Sequence, residues 1–287
     1  MYTMYLIFLL ALLIWVRSSH EIDHDEFVVV STTTRSPYIS NLVEKIDNFY
    51  QPLVPPEHNR FPQNCKEALD QGSNVSTFYF VRPELSPRPF LVLCDMQTRG
   101  GGWTYVVNRF SGSQNFDLLW TDYKRGFGNI GAEFWLGLDN LYYLTGQQVH
   151  EVLIELEDWD FKKVYAFYNF FSVGGEDEGY MLKLLGGYEG TAGDSLSYSA
   201  GSKFSTRDKY QDDFSHNCAN YKGAGWWYRD CTDTLLTGKY FLRNEATNLD
   251  GIYWLAFRGP DYSLKQARMM IRPRRTNSMS PQENTNT

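Results

Sequence analysis

FSTRDKYQDDFSHNCANYKGAGWWYRDCTDTLLTGKY, residues 204–240, packs acidic residues, two cysteines thirteen positions apart and a Trp226-Trp227-Tyr228 cluster into one short segment. Neither the 3.6 nor the 2.0 hydrophobic period runs through it. A bond between Cys218 and Cys231 would close a loop around Gly223, Gly225 and the three large rings. In the chain-entropy account a cross-link of that span stabilises by roughly 3 kcal/mol. The segment therefore reads as a turn-rich region held by cross-linking, with the rest of the chain as its scaffold.

The chain has 287 residues, 16% of them aromatic, and a formal net charge of −7. Rings at this density favour a packed, β-rich globular core over disorder. The acidic balance argues against nucleic acid, whose binders carry a basic footprint. Residues 4–16, MYLIFLLALLIWV, form an apolar run shorter than the about 20 residues a spanning helix needs. The run suits the core of a signal peptide ending near Ser18 or Ser19, so residues 1–19 are read as a leader, with no membrane insertion once it is cleaved. In an exported chain the four cysteines, Cys65, Cys94, Cys218 and Cys231, are expected to pair, and their number alone allows three pairings.

Residues 20–61 change from acidic to threonine-rich to proline-rich, which is linker composition. Within them Ile39, Leu42, Val43, Ile46 and Phe49 have the spacing of one short helical face. No heptads argue for a coiled-coil stalk, and oligomerisation stays open. Asn74-Val75-Ser76 is a glycosylation sequon. Strands are expected over 77–81, 90–94, 103–110, 149–156 and 164–173, rich in β-branched and aromatic residues between Gly and Pro clusters. In 149–156 the residues Val152, Ile154 and Leu156 alternate against Leu153, Glu155 and Glu157, as in a strand with one covered face. Short helices are expected near 118–124 and after Ala132. From Gly186 onward periodicity fades, and residues 275–287 read as a disordered tail.

Catalytic motifs fail on inspection. Gly126-Phe127-Gly128-Asn129-Ile130-Gly131 follows WTDYKR rather than an apolar strand, so its glycines read as a tight structural loop and not a dinucleotide site. Gly193-Asp194-Ser195-Leu196-Ser197 departs from the nucleophile elbow at its last position. His150 and His216 are the only histidines after residue 62, and no H-E-x-x-H occurs. No enzyme is expected.

The run FSTRD, an acidic patch, NCA, GWWY, a second Cys and TGKY strongly resembles the core signature of the fibrinogen C-terminal (fibrinogen-related) domain. Further blocks agree in order: CDMQTRGGGWT from Cys94, YKRGFGNIGAEFWLG from Tyr123, LEDWD from Leu156, GYEGTAGDSL from Gly187 and YSLKQARMMIRP from Tyr262. The resemblance implies an α+β domain over 62–274, with a twisted, mostly antiparallel sheet, short helices and a loop-rich, disulfide-stapled C-terminal subdomain. It selects the pairings Cys65–Cys94 and Cys218–Cys231, and it implies a cis peptide at Asp230–Cys231.

The family's calcium loop uses two aspartates two residues apart and two backbone carbonyls before the first cysteine of the second pair. Carried over, the carbonyls fall on Phe214 and His216 and the second aspartate on Asp212. The first is Tyr210, a poor ligand for a hard cation. A calcium site is thus weakened, lost, or rebuilt with Asp208 or Asp213. Sugar- and acetyl-binding members have an aromatic pocket beside the second disulfide, walled by a histidine after its second cysteine. Here that residue is Thr232, a later tyrosine is Asn248, an aromatic after Gly259 is Pro260, and Tyr221 sits one residue early. The ligand-binding candidates are Tyr221, Trp227, Tyr228, Asp230, Cys231, Thr232, Tyr240 and Asn248. The expectation is a secreted, non-enzymatic recognition protein for glycans or acetylated surface groups in an innate-immune-type role, as in ficolins and tachylectins. Its rival is a ligand or matrix protein for a cell-surface receptor, as in angiopoietins.

Overall fold

The computed structural model describes residues 60–212, 216–243 and 249–274. The leader, the linker with its helical face and the tail read from the sequence lie outside the described residues, as do Asp213, Phe214 and Asn248. The fold opens with helix α1 (Cys65–Asp70). Asn64 caps it by accepting from Glu67 N at 3.0 Å, while Glu67 reaches back to Gln63 N. Strands β1 (Phe78–Val81), β2 (Phe90–Asp95) and β3 (Trp103–Arg109) follow. Cys65–Cys94 ties α1 to β2, as the resemblance implied.

Next come helix α2 (Trp120–Arg125), the short strands β4 (Phe127–Gly128) and β5 (Phe134–Trp135), and helix α3 (Leu138–Thr145). The glycines between α2 and β5 serve the β4–β5 pairing. Gly128 has φ +91°, and a Cβ there would come within 2.3 Å of the Glu133 carbonyl oxygen. The motif is a structural loop, as its context predicts.

The long strands β6 (His150–Glu157), β7 (Lys163–Val173) and β8 (Leu182–Gly190) form consecutive antiparallel pairs. The last strand, β13 (Gln266–Pro273), inserts between β3 and β6, so the sheet runs β1-β2-β3-β13-β6-β7-β8, with β5 on β3 and β4 on β5. Neither β8 nor β13 is apparent from periodicity. β13 carries the adjacent methionines Met269 and Met270 at a register shift, where unbranched side chains fit an irregular ladder.

One expectation is corrected by this topology. β6 does not have a single covered face: Leu153 is as buried as Val152 and Ile154, and Glu157 is buried too. Leu153 lies in register beside Phe167 of β7 and Met270 of β13, and the three shield one another. Glu157 is accepted because Lys265 donates to it at 2.6 Å. Toward the rim of the same face, Glu155 and Glu151 oppose Arg268 and Arg272 across the ladder, and Arg272 stacks over Trp103 at 4.2 Å. Alternation within one strand cannot show what neighbouring strands bring alongside it.

Beyond β8 regular structure thins to two-residue ladders, β9 (Phe204–Ser205) with β10 (Trp226–Trp227) and β11 (Thr234–Leu235) with β12 (Tyr253–Trp254). Between them lies helix α4 (Cys218–Lys222), and after β12 comes the single turn α5 (Leu255–Arg258). The loop-rich last third is as the fading periodicity foretold.

His150, at the start of β6, is buried. Its Nδ1 is 2.9 Å from Gln148 O, and Nε2 has no hydrogen-bond partner. Burial lowers its pKa from 6.5 to about 4, a little offset by the Gln148 contact. The unfolded chain therefore takes up a proton near pH 6.5 that the native state refuses until about pH 4. The associated stability is complete above pH 6.5 and is lost as pH falls, amounting to about 3 kcal/mol in total. In urea denaturation at pH 7, 6 and 5, His150→Gln should flatten the decline seen in the unmodified protein. Parallel declines would show that His150 does not refuse the proton.

Candidate functional site

Cys218 and Cys231 are bonded, as implied, and close the loop that carries Trp226, Trp227 and Tyr228. Asn217 caps α4 by accepting from Asn220 N at 3.0 Å, and Gly223, with φ +62°, ends it. The chain then turns inward. Gly225 lies so close to Phe204 and Tyr123 that a Cβ would meet both rings at 2.8 Å, and its N–H donates to the Tyr123 hydroxyl at 3.0 Å.

Trp227 and Tyr228 are not ligand platforms, which corrects their place among the binding candidates: they are 0% and 1% exposed. Trp227 packs edge-on to Phe204 at 5.3 Å and against Trp135 at 6.1 Å, and its Nε1 donates to Tyr180 O. The Tyr228 hydroxyl donates to Ala224 O at 2.8 Å. Rings of this size, with every polar atom matched, serve a core.

Tyr240 is half-buried, its hydroxyl facing the carbonyls of Phe110 and Lys265 at 2.9 and 3.1 Å, and it lines the cavity beside Arg109. Thr232 donates to Thr234 O, and Asp230 is exposed. The Asp230–Cys231 peptide is trans, contrary to the cis bond the resemblance implied, with Arg229 N donating to Cys231 O. Tyr221 is 61% exposed on α4. Ser195 is buried and accepts from Ala256 N at 3.0 Å.

In the acidic loop Asp208 is already engaged. Its Oδ1 accepts from Trp120 N at 2.9 Å and from the Thr206 hydroxyl at 2.8 Å, so it holds the first turn of α2 from 88 residues away in sequence. Tyr210 and His216 are exposed and Asp212 is buried. Among the described residues no three His, Cys, Asp or Glu side chains converge as a metal site.

Sequence reading missed what lies beside this region. Glu133, fully buried, accepts at Oε1 from the N–H groups of Phe110, Ser111 and Gly112 at 2.6, 2.8 and 3.1 Å, and at Oε2 from Gln114 N. Burial pushes its carboxyl up, but those amides and Arg109 outweigh burial and hold it below the usual range. Arg109, also buried, donates from Nη1 to Leu236 O and Gly238 O and stacks on Phe116 at 3.8 Å, with Nε 3.7 Å from Glu133. Burial lowers its pKa to about 10, which leaves it charged at neutral pH. Arg109 lines a cavity of about 650 Å³ between the 112–117 loop and the end of α4. No local motif announces this pair, because its partners are more than twenty residues apart in sequence.

A profile of the C-terminal globular domain of fibrinogen beta and gamma chains matches residues 61–274. The chain belongs to this family. Angiopoietin-related protein 2 of mouse and of human is 44% identical over 217 residues, covering 74% of this chain and 43% of the relative. Fibrinogen C domain-containing protein 1 of Xenopus tropicalis is 41% identical over 219 residues, covering 75% and 48%. The chain spans less than half the length of these curated relatives. Among solved structures, the fibrinogen-like globe domain of human ANGPTL2 is similar with a TM-score of 0.72 at 43% identity, covering 75% of this chain and all of that one. A lamprey fibrin D-dimer complexed with the peptide Gly-His-Arg-Pro-amide is similar with a TM-score of 0.71 at 28% identity, covering 87% and 89%.

Two outcomes test this reading of the site. Glu133→Gln should cost about 3 kcal/mol in urea denaturation, since it strips the counter-charge from a buried guanidinium; a cost below about 1 kcal/mol would show that the loop amides alone set its contribution. For calcium, the melting temperature of the unmodified protein should rise only at millimolar concentrations, on the order of weak extracellular modules. Tyr210→Asp should move the response to lower calcium. A micromolar response that Tyr210→Asp leaves unchanged would mean that other ligands had rebuilt the site.

Proposed function

We propose that this chain is the partner-recognition domain of a secreted, non-catalytic protein ligand that binds a cell-surface protein through the loop-rich face of residues 204–262. The observation that carries the reading is the 44% identity to angiopoietin-related proteins across the domain. The chemistry of the face supports it. The rings that a sugar pocket would display are in the core, and Thr232 replaces the wall histidine and bonds inward. What the face does offer is two exposed large side chains, Leu242 at 77% and Tyr221 at 61%, and tyrosine is a residue type enriched where protein partners anchor. Two formed disulfides suit an oxidising compartment. Asn74, exposed ahead of β1, is the proposed glycan acceptor. Weak calcium binding in the acidic loop belongs to the same proposal.

The glycan-binding, innate-immune reading is the alternative, and cell binding separates the two. Labelled protein should bind responsive cells, and protease treatment of the cells should abolish the binding while enzymatic deglycosylation preserves it. Leu242→Asp should weaken binding at least tenfold, while Val149→Asp, at an exposed position outside that face, should not. Loss on deglycosylation alone, with calcium-dependent hits on a glycan array, would overturn the receptor reading in favour of the lectin.

A further inference from the structure

The hairpin between β6 and β7 closes through a three-residue loop, Trp159-Asp160-Phe161. Phe161 N donates to Asp158 O and Asp158 N donates to Lys162 O, both at 3.1 Å. In a hairpin loop of this length the third residue takes the left-handed backbone conformation, and glycine is its usual occupant because a Cβ is penalised there. Phe161 holds that conformation at φ +63°. Its ring gains little from the fold in return: the residue is 70% exposed, with the Lys265 ammonium 3.8 Å from the ring centroid. A single exposed apolar side chain needs no explanation. One that also occupies a glycine position opposes stability twice, and backbone outliers of this kind gather at functional sites.

The tip is held in place from below. Asp158, fully buried, accepts from the N–H groups of Asp160 and Lys162 at 2.9 and 2.8 Å and from the Arg258 guanidinium of α5. Trp159 N donates to the Tyr262 hydroxyl at 2.9 Å, and the Trp159 indole donates to Ser263 O at 3.0 Å. These bonds fasten the loop to the end of the 204–262 segment, so the ring is presented at the margin of the proposed receptor face on a backbone already ordered for binding. The charges around it run against those of the whole chain. Lys162, Lys163, Arg258 and Lys265 stand against Glu157, Asp158 and Asp160, in a protein of net charge −7. One ring and a surplus of one positive charge fall short of the two anchoring signals that a membrane surface requires. They suit a protein pocket that encloses one aromatic anchor.

We propose that the β6–β7 tip is a contact point for the protein partner, with Phe161 seated in an apolar pocket of that partner and Lys162 and Lys163 facing acidic groups at the pocket's rim. The inference rests on the receptor reading and deepens it, since it carries the recognition surface beyond residues 204–262 and assigns the partner an apolar pocket edged by carboxylates. At this position stability yields to recognition.

The test uses the full chain and measures thermal melting and cell binding together. Phe161→Gly should leave the melting temperature unchanged or raise it by about 2–4 °C, while weakening binding to responsive cells at least tenfold. Phe161→Leu, which keeps an apolar side chain, should retain more binding than Phe161→Gly. Lys162→Glu, at an exposed position, should weaken binding about threefold to fivefold at low salt, with the difference shrinking in about 0.5 M salt. A melting temperature lowered by more than about 4 °C in Phe161→Gly would show that the ring serves the fold and would overturn the inference. Equal losses in Phe161→Gly and Phe161→Leu, or indifference to Lys162→Glu, would overturn it as well. Full binding by Phe161→Gly where Leu242→Asp is impaired would remove the tip from the interface and leave the receptor reading standing. If the unmodified protein fails to bind, binds cells stripped by protease, or binds vesicles of phosphatidylserine and phosphatidylcholine equally well, the receptor reading and this inference fall together.

Discussion

The loop-rich half of this domain depends on a buried carboxylate, Glu133, and the guanidinium beside it. Neither charge could leave water without compensation, because a bare ion in a low-dielectric interior costs several kcal/mol. Glu133 is compensated by the backbone, since the 110–114 segment curls until its N–H groups point at one carboxylate. Arg109 extends the arrangement by gripping the carbonyls of Leu236 and Gly238. The end of β3 and the start of β5, already paired in a ladder, are thereby joined to the segment after β11. A region with little regular structure must satisfy its backbone in some such way.

The second constraint is the return of the chain. β13 closes the sheet between β3 and β6, so the sheet is complete only when residues 266–273 are in place. Over the loop-rich side, Tyr123, Trp135, Phe204 and Trp227 form one aromatic cluster with centroid spacings of 5.2 to 6.1 Å. The second disulfide holds the loop whose rings complete that cluster. Its role is to deliver aromatics inward, while Tyr221, Asp208 and Leu242 are among the residues left at the surface.

This division bears on function. The rings of Trp227 and Tyr228 are consumed by packing, and Tyr221 and Leu242 are the exposed side chains on which the proposed receptor reading draws. Asp208 illustrates the same economy: a residue that looks like a metal ligand in the sequence is spent on capping α2.

By itself the sequence determined the family, the antiparallel strands with local signals and the loop-rich last third, because each is written in short-range patterns: periodicity, turn residues and spaced cysteines. The disulfide partners came from the resemblance, the cysteine count alone leaving three pairings open. Only the tertiary structure decided that both faces of β6 are covered, that β13 lies mid-sheet, that Trp227 and Tyr228 are buried, and that the Asp230–Cys231 peptide is trans. It alone revealed the Arg109–Glu133 pair and its cavity. The physical reason is common to all of these: burial and charge compensation are set by what distant segments bring to a residue, and such partners leave no mark on the residue's own neighbourhood in the sequence.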